Sequence, residues 1–237
     1  MSVHVDNSIA AVGASATRYM TKIYPVGTIG FDNRLTIVFA SAYSTGYVDF
    51  LNTWTAANSA NPSNQEAYCA AGAGGNLLVG STDGVSGLDQ NIWTDGYAGR
   101  FWLGTSYLAN GSTGTVSCCY LREDGSFVVP TLAAAPLNMV PDQIDVFADL
   151  SFLSTVHGIE DCGCLKIWGR GMTVPEMRAE MGSRRPKNWD RLLFWNPMIS
   201  AARCFVDYSG RGGDFTPNVL PQDGVIDPFA PYPLIGQ

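Results

Sequence analysis

The stretch from residue 165 to residue 216 constrains the fold more than any other part of the chain. It begins with Leu-Lys-Ile-Trp at residues 165–168, which predicts a strand. A second, aromatic strand is predicted at residues 192–195, and an Asp-x-Ser-Gly turn follows at residues 207–210. Between the two strands, residues 174–181 form the one convincing helical pattern of the chain. The stretch therefore predicts two strands joined through a single short helix.

Particular residues mark the ends of this helix. Thr173 can accept a hydrogen bond from the first turn, and Glu176 can reach back to the N–H of Thr173, which together make a capping box. Pro175 is tolerated in the first turn. Gly182 supplies the stop, because glycine adopts the left-handed conformation that commonly ends helices.

The rest of the chain predicts short strands separated by turn residues. Asp124-Gly125 is a strong hairpin signal, because glycine tolerates the positive φ that such turns need. Strands are predicted at residues 34–40, 46–51, 76–79, 99–104, 116–122, 126–131 and 143–150. Short strands at regular spacing are typical of an all-β sandwich.

The order Lys-Ile-Trp-x-Arg-x-Met-Thr-x-x-Glu-Met at residues 166–177 resembles the C-terminal signature of the concanavalin A-like (laminin G-like) jelly-roll family. The segment from Trp195-Asn-Pro-Met to Asp207-Tyr-Ser-Gly-Arg-Gly-Gly is similar to a segment that often appears in phage virion proteins of this family. The resemblance implies an all-β jelly-roll sandwich with one short helix and extended N- and C-terminal arms.

Three segments are predicted: an N-terminal arm at residues 1–25, a jelly-roll domain at residues 26–216 and a proline-rich C-terminal arm at residues 217–237. Prolines exclude a helix or a central strand from the last segment, which is also too apolar for a solvated linker. It is expected to lie across its own sandwich or on a neighbouring subunit, and the second alternative would make a homo-oligomer.

Composition argues against several classes of partner. The net charge is −7 and only three residues are lysines, so nucleic-acid binding is not supported. No apolar run approaches membrane-spanning length, and the start of the chain lacks the pattern of a secretory signal. Synthesis in a host cytoplasm is therefore expected, with the six cysteines as structural thiols; a disulfide pair and a metal site are the alternatives.

The chain lacks the residue patterns of two hydrolase mechanisms, so the prediction is a protein that is not an enzyme. Retaining glycosidases hold two carboxylates about 5 Å apart. No glutamate lies in such an array, and the adjacent Glu160 and Asp161 would point to opposite faces of a strand. His157 has no nucleophile beside it in the sequence.

Calcium is the one cofactor that the resemblance leaves open, because laminin G-like sandwiches sometimes hold a calcium ion in their rim loops. Candidate ligands are Asp83 and Asp89 in an acidic loop and Asp207 in the Asp-x-Ser-Gly turn. In the alternative role, the carboxylate of Asp207 accepts hydrogen bonds from the backbone of its own turn.

Sugar binding would use aromatic side chains near loops, on which sugar rings stack. Candidates are Trp54, Trp93, Tyr97 and Tyr107, each of which has the alternative of a core position. A basic cluster could contact an acidic neighbouring subunit or stay solvated; it comprises Arg178, Arg184, Arg185, Lys187 and Arg191.

The predicted function is that of a non-enzymatic structural protein of a bacteriophage virion, as a capsid decoration, a head fibre or a tail component. Its partners would be other virion proteins or its own subunits, contacted through the terminal arms, without nucleic acid or membrane. The alternative is a carbohydrate-binding module that recognises host-surface glycans, with or without calcium.

Overall fold

A computed structural model describes residues 2–6, 20–25, 34–45, 48–54, 67–71, 76–82, 87–97, 99–110, 113–132, 143–146, 159–211, 213–217 and 222–224. The strands in these ranges are β1 (Ser2–Asp6), β2 (Met20–Ile23), β3 (Arg34–Thr45), β4 (Val48–Trp54), β5 (Ala67–Ala71), β6 (Leu77–Thr82), β7 (Gly87–Trp93), β8 (Arg100–Asn110), β9 (Thr113–Arg122), β10 (Phe127–Val128), β11 (Gln143–Val146), β12 (Ile159–Trp168), β13 (Leu192–Asn196), β14 (Thr216–Pro217) and β15 (Gln222–Gly224). Helix α1 spans Val174–Glu180, and a 3-10 turn spans Ala201–Arg203.

The strands form two antiparallel sheets, as the strand pattern predicted. In the described ranges the larger sheet has the order β10-β9-β8-β3-β12-β1-β15, with β13 also paired to β12. The smaller sheet has the order β14-β2-β11-β4-β5-β6-β7. Apolar side chains from both sheets meet in one core, to which β3 contributes Leu35 and Ile37, β6 contributes Leu77 and β11 contributes Ile144.

Strand β12 lies at the centre of the larger sheet. One of its edges pairs with β3 over the whole span Ile159–Trp168. Its other edge is shared, because residues 159–162 pair with β1 and residues 165–168 pair with β13. The predicted strand at residues 165–168 is therefore the second half of a longer, doubly paired strand.

The larger sheet is buried on both faces. Alternation along β3 points Ile37 and Phe39 towards the smaller sheet, and it points Val38 and Ala40 outward, where they are equally buried. The outward side chains lie beneath α1 in a second core, which comprises Val38, Ala40, Trp102, Cys119, Cys164, Trp168, Met172, Met177, Met181 and Leu192. We call this second core the outer core.

Helix α1 packs directly against Gly104, a glycine of β8. A Cβ atom at Gly104 would lie 3.1 Å from Cβ of Met177 and 3.2 Å from the terminal carbon of Met181. These distances are below ordinary van der Waals separation, and Cβ of Met177 is fixed to the helix backbone. The missing side chain at residue 104 therefore sets how closely the helix packs.

The predicted helix boundaries are confirmed. The N–H of Glu176 donates to Oγ1 of Thr173 at 3.4 Å, and the N–H of Thr173 donates to Oε2 of Glu176 at 2.8 Å, which completes the capping box. Gly182 has φ of 73° and follows the last helical turn. The capping box thus defines the start of α1, and the backbone conformation of Gly182 defines its end.

The predicted hairpin at Asp124-Gly125 is also confirmed, between β9 and β10. Gly125 has φ of 85°, and the carboxylate of Asp124 accepts the N–H of Ser126 at 2.8 Å. The second strand is only Phe127–Val128, shorter than the predicted 126–131. Pro130 lacks the N–H that a longer ladder would need.

Parts of both predicted arms belong to the sandwich, which corrects the boundary at residue 25. Strand β1 pairs with β12 and β2 pairs with β11, in different sheets, and Met20 is fully buried. At the other end, β14 pairs with β2 and β15 pairs with β1. Residues 222–224 therefore lie on their own sandwich, whereas residues 225–237 lie outside the described residues. The rest of the domain division stays a prediction.

We predict that Gly104→Val lowers the free energy of unfolding by about 1–3 kcal/mol, because the new side chain overpacks the contact with Met177. Urea unfolding followed by tryptophan fluorescence measures the change. Ser117→Val is the matched control, since Ser117 is exposed on the neighbouring strand. Equal stability of the two variants would contradict the close packing of α1.

Candidate functional site

The outer core contains a buried ion pair. Lys166 of β12 and Glu180 of α1 are 0% and 1% exposed, and Nζ of Lys166 lies 3.0 Å from Oε2 of Glu180. The ammonium also donates to the carbonyl oxygens of Glu180 at 2.8 Å and of Arg185 at 3.5 Å, and it lies 5.5 Å from the centre of the Trp102 ring. Each of its three donors therefore has an acceptor, which a buried charge requires.

The same glutamate fixes the segment that follows the helix. Oε1 of Glu180 accepts the N–H groups of Lys187 at 3.0 Å and of Asn188 at 2.6 Å. The carboxylate thus has backbone donors as well as the ammonium, so its charge is compensated from two sides. Glu180 connects β12, α1 and residues 187–188.

Two indole groups hold this segment against the sheet. Nε1 of Trp168 donates to the carbonyl of Asn188 at 2.9 Å, and Nε1 of Trp195 donates to the carbonyl of Arg184 at 2.7 Å. The thiol of Cys164 lies 3.4 Å from the same Arg184 carbonyl. Trp168 and Trp195 therefore attach residues 184–188 to the larger sheet.

The chain enters α1 over two buried hydroxyl groups on neighbouring strands. Oγ1 of Thr36 and Oγ of Ser106 lie 3.0 Å apart, and the N–H of Met172 lies within hydrogen-bond distance of both, at 3.0 and 3.1 Å. The hydroxyl of Thr36 donates to the carbonyl of Arg170 at 2.7 Å. These bonds fix residues 170–172 on the sheet.

The cap of α1 is also an ion-pair site. The guanidinium of Arg170 donates to Oε1 of Glu176 at 3.0 Å. The backbone N–H of Thr173 and, with a smaller effect, Arg170 hold the pKa of Glu176 below its usual range. Glu176 is therefore ionised at neutral pH, and both of its carboxylate oxygens already accept hydrogen bonds.

The predicted basic cluster lies on α1 and on residues 184–191, which follow it. Arg178, Arg185, Lys187 and Arg191 are exposed. The guanidinium carbon of Arg178 lies 4.4 Å from the ring centre of Phe127 in the hairpin, a cation–π contact. The cluster therefore presents exposed positive charge beside the hairpin.

Asp207 stabilises its own turn, as the alternative role predicted. Oδ1 accepts the N–H groups of Trp195 at 3.1 Å and of Ser209 at 2.8 Å. Oδ2 accepts the Ser209 hydroxyl at 2.7 Å and the N–H groups of Arg211 at 3.3 Å and Gly213 at 3.1 Å. Because these donors surround the carboxylate, a cation would have to displace them, and Asp207 does not fit a calcium ligand.

The other predicted calcium ligands are less defined. Asp83 lies outside the described residues, and the structure places only the backbone of Asp89, within β7. Among the described residues, no group of three or more His, Cys, Asp and Glu side chains could hold a metal ion. Calcium at Asp83 and Asp89 stays a prediction.

Two of the predicted sugar-stacking residues are core residues, and that prediction is wrong for them. Tyr107 is fully buried and Trp93 is 6% exposed, so neither presents a ring face to solvent. Both point into the core between the sheets, where large aromatic rings bury the most apolar area. Trp54 ends β4, and nothing further is described of it.

The rings of Trp93 and Tyr97 instead contact the guanidinium of Arg122. The guanidinium carbon of Arg122 lies 4.4 Å from the ring centre of Tyr97, 5.1 Å from that of Trp93 and 5.2 Å from that of Tyr120. Asp95 pairs with both terminal nitrogens of Arg122, at 2.7 and 2.9 Å. Tyr97 is half-buried and keeps part of its surface exposed, so its sugar role stays a prediction.

Five of the six cysteines have described side chains and are buried thiols, namely Cys118, Cys119, Cys162, Cys164 and Cys204. Burial raises the pKa of the thiols of Cys119, Cys164 and Cys204 to about 12. They are therefore protonated and unreactive at neutral pH, as expected of structural thiols.

Two shallow clefts flank α1. One, of about 230 Å³, lies beside Ala179, Asn188 and Trp189. The other, of about 210 Å³, lies at the entry to the helix beside Arg34, Ser117 and Thr173. The sequence predicted neither cleft, because Lys166 at an alternating position of its strand indicates a face open to solvent and gives no sign that a helix covers it.

No protein-family model and no curated protein matches the chain. Among solved structures, it is similar to the full-length tailspike protein 2 of the Escherichia coli O157:H7 bacteriophage CAB120, with 12% identity, a TM-score of 0.51 and coverage of 84% of this chain and 28% of that one. It is equally similar to the full extracellular region of zebrafish Gpr126/Adgrg6, with 12% identity, a TM-score of 0.51 and coverage of 94% and 26%.

Mouse laminin α1 domains LG4-5 match with 12% identity, a TM-score of 0.40 and coverage of 66% of this chain and 40% of that one. The chain spans about a quarter of the length of the tailspike and Gpr126 structures. At these identities the comparisons concern the fold alone. The two antiparallel sheets and the one short helix agree with the predicted jelly-roll sandwich. In the described part of the chain, no helix is long and apolar enough to cross a membrane.

We predict that Lys166→Met lowers the free energy of unfolding by about 3–5 kcal/mol, because it leaves the carboxylate of Glu180 buried without its cation. Glu180→Gln should also destabilise, and the double variant should lose less than the sum of the two single losses. Denaturant unfolding of all three variants measures this coupling. Strict additivity would show that the two side chains do not interact.

Proposed function

We propose that the chain is a non-enzymatic structural component of a bacteriophage virion, built on a lectin-like sandwich and located at the capsid surface, in a head fibre or in the tail. The observation that carries the proposal is the fold similarity to a phage tailspike over 84% of the chain. The motif at residues 195–213 supports it, since it resembles a segment of phage virion proteins, and the motif at residues 166–177 resembles the wider concanavalin A-like family.

The commitment of the carboxylates supports a role without catalysis. Glu180 and Glu176 are bound in the outer core and the helix cap, and Asp207 is bound in its turn. Asp95 pairs with Arg122, and Glu123 pairs with Arg100. Carboxylates held by cations or backbone donors are poorly placed for the acid and nucleophile roles of glycoside hydrolysis.

Carbohydrate binding is the second candidate. It is favoured by the two clefts beside α1, because small sugar units bind in concave surfaces that combine apolar and polar side chains. A virion component with such a surface could contact host glycans. This activity is compatible with the structural role and does not require it.

We also propose that the chain acts as a homo-oligomer or binds other virion proteins through residues 225–237 and the basic cluster. The terminal segment is rich in proline and apolar residues, and such segments usually find a partner surface. The exposed basic cluster is complementary to the rest of a chain whose net charge is −7.

We predict that gradient-purified particles from the source of this chain contain it at a fixed ratio to the major shell protein. Quantitative mass spectrometry measures the ratio, with an abundant host ribosomal protein as the control for contamination. Hundreds of copies would indicate a decoration role, and a handful would indicate a fibre or tail. Absence from particles would overturn the virion proposal.

We predict that deletion of residues 225–237 leaves the sandwich folded and shifts the oligomer towards monomer, since β15 ends before them. Circular dichroism measures folding, and analytical ultracentrifugation measures mass. A full-length variant with Phe229, Tyr232 and Leu234 each changed to Ser is the matched control and should behave like the deletion. An unchanged mass for both variants would exclude the segment from assembly.

A further inference from the structure

The outer face of the larger sheet changes from apolar to polar where α1 begins. Beneath the helix the face carries Val38, Gly104 and Cys119 in cross-strand register. Two residues further along each strand, the register brings together Thr36, Ser106 and Ser117. The face thus continues beyond the helix as a row of hydroxyl groups.

This polar end forms the floor of the cleft of about 210 Å³, which we call the Arg34 cleft. The next cross-strand row, Arg34, Leu108 and Thr115, completes the floor. Residues 171–173, which lead into α1, form the wall. Because the floor belongs to three paired strands and the wall is fixed by the bonds to Thr36 and Ser106, the cleft is rigid.

Among the lining residues that the structure describes, the cleft carries one cation and no acid. Arg34 is exposed, and its guanidinium makes no hydrogen bond or ion pair with any residue that the structure describes. The nearest acid of the helix start, Glu176, is already held by Thr173 and Arg170. In a chain of net charge −7, this local arrangement favours an anionic ligand group.

A glycine allows the arginine to lie along the wall. A Cβ atom at Gly171 would lie 3.2 Å from Cδ of Arg34 and 3.7 Å from Oγ of Ser106. A side chain there would therefore push Arg34 away from the hydroxyl row. The path of the Arg34 side chain past residue 171 therefore depends on the absence of a Cβ atom there.

We propose that the Arg34 cleft binds an acidic sugar unit, with Arg34 pairing with the carboxylate of the sugar and with Ser117 and Thr115 bonding its hydroxyl groups. An arginine recognises a carboxylate through two parallel N–H donors, and serine and threonine hydroxyls both donate and accept. The volume is below that of drug-sized pockets, so it suits a single sugar ring. This inference rests on the carbohydrate-binding candidate and is independent of the virion role.

Titration of the full chain with three probes tests the assignment. Glucuronate carries both the carboxylate and the ring hydroxyls, glucose carries only the hydroxyls, and acetate carries only the carboxylate. We expect glucuronate to bind with a Kd of about 1 mM, and glucose and acetate to bind at least about tenfold more weakly. Chemical-shift changes measured by NMR suit affinities in this range.

Variants locate the binding. Arg34→Gln should weaken glucuronate binding at least about tenfold, because it removes the charge-assisted bonds. Gly171→Ala should weaken it while every charge is kept. Arg203→Gln is the matched control, since Arg203 is exposed and lies outside the cleft. Thermal unfolding confirms that each variant is folded.

Several results would overturn the proposal: no glucuronate binding at 20-fold the expected Kd, equal binding by Arg34→Gln and the native chain, or acetate binding as tight as glucuronate. The last result would identify a site for carboxylates without sugar recognition. If glucuronate fails to bind while the chain is present in purified particles, the cleft assignment fails and the virion proposal stands.

Discussion

The ion pair between Lys166 and Glu180 connects strand β12, helix α1 and residues 187–188. A buried charge pair is not stabilising in itself, because removal of two ions from water offsets their attraction. Here the ammonium has three acceptors, and the carboxylate has backbone donors from residues 187–188 in addition. The geometry is therefore specific: a shift of α1 that kept both side chains buried would separate the two charges and leave them uncompensated.

That requirement decides which part of the outer face is covered. The pair anchors the last turn of α1 at β12, Gly104 allows the helix to pack closely, and Thr36 and Ser106 hold the entry. The polar row at Ser117 is left uncovered beside the helix start. The placement of α1 therefore buries the outer core and also leaves the Arg34 cleft open. The residues proposed to bind a ligand differ from those that hold the helix.

Local chemistry could be predicted from the sequence, and long-range burial could not. Thr173 with Glu176 and Asp124 with Gly125 act within a few residues, so their spacing alone indicates the structure. The burial of Tyr107 depends on which face of β8 meets the other sheet, which alternation leaves open. Lys166 follows the pattern of a solvent-facing strand position, and only the helix that covers it makes it a core residue.

The pairing of β12 has a consequence for the order in which the chain can fold. Residues 2–6 and strand β3 find their main-chain partners in residues 159–168, so neither is completed until that strand has left the ribosome. At about 5–20 residues per second, translation from residue 45 to residue 159 takes roughly 6–23 s. During that interval, long edges of the larger sheet stay open to other chains, and high nascent-chain density or absence of chaperones would favour aggregation.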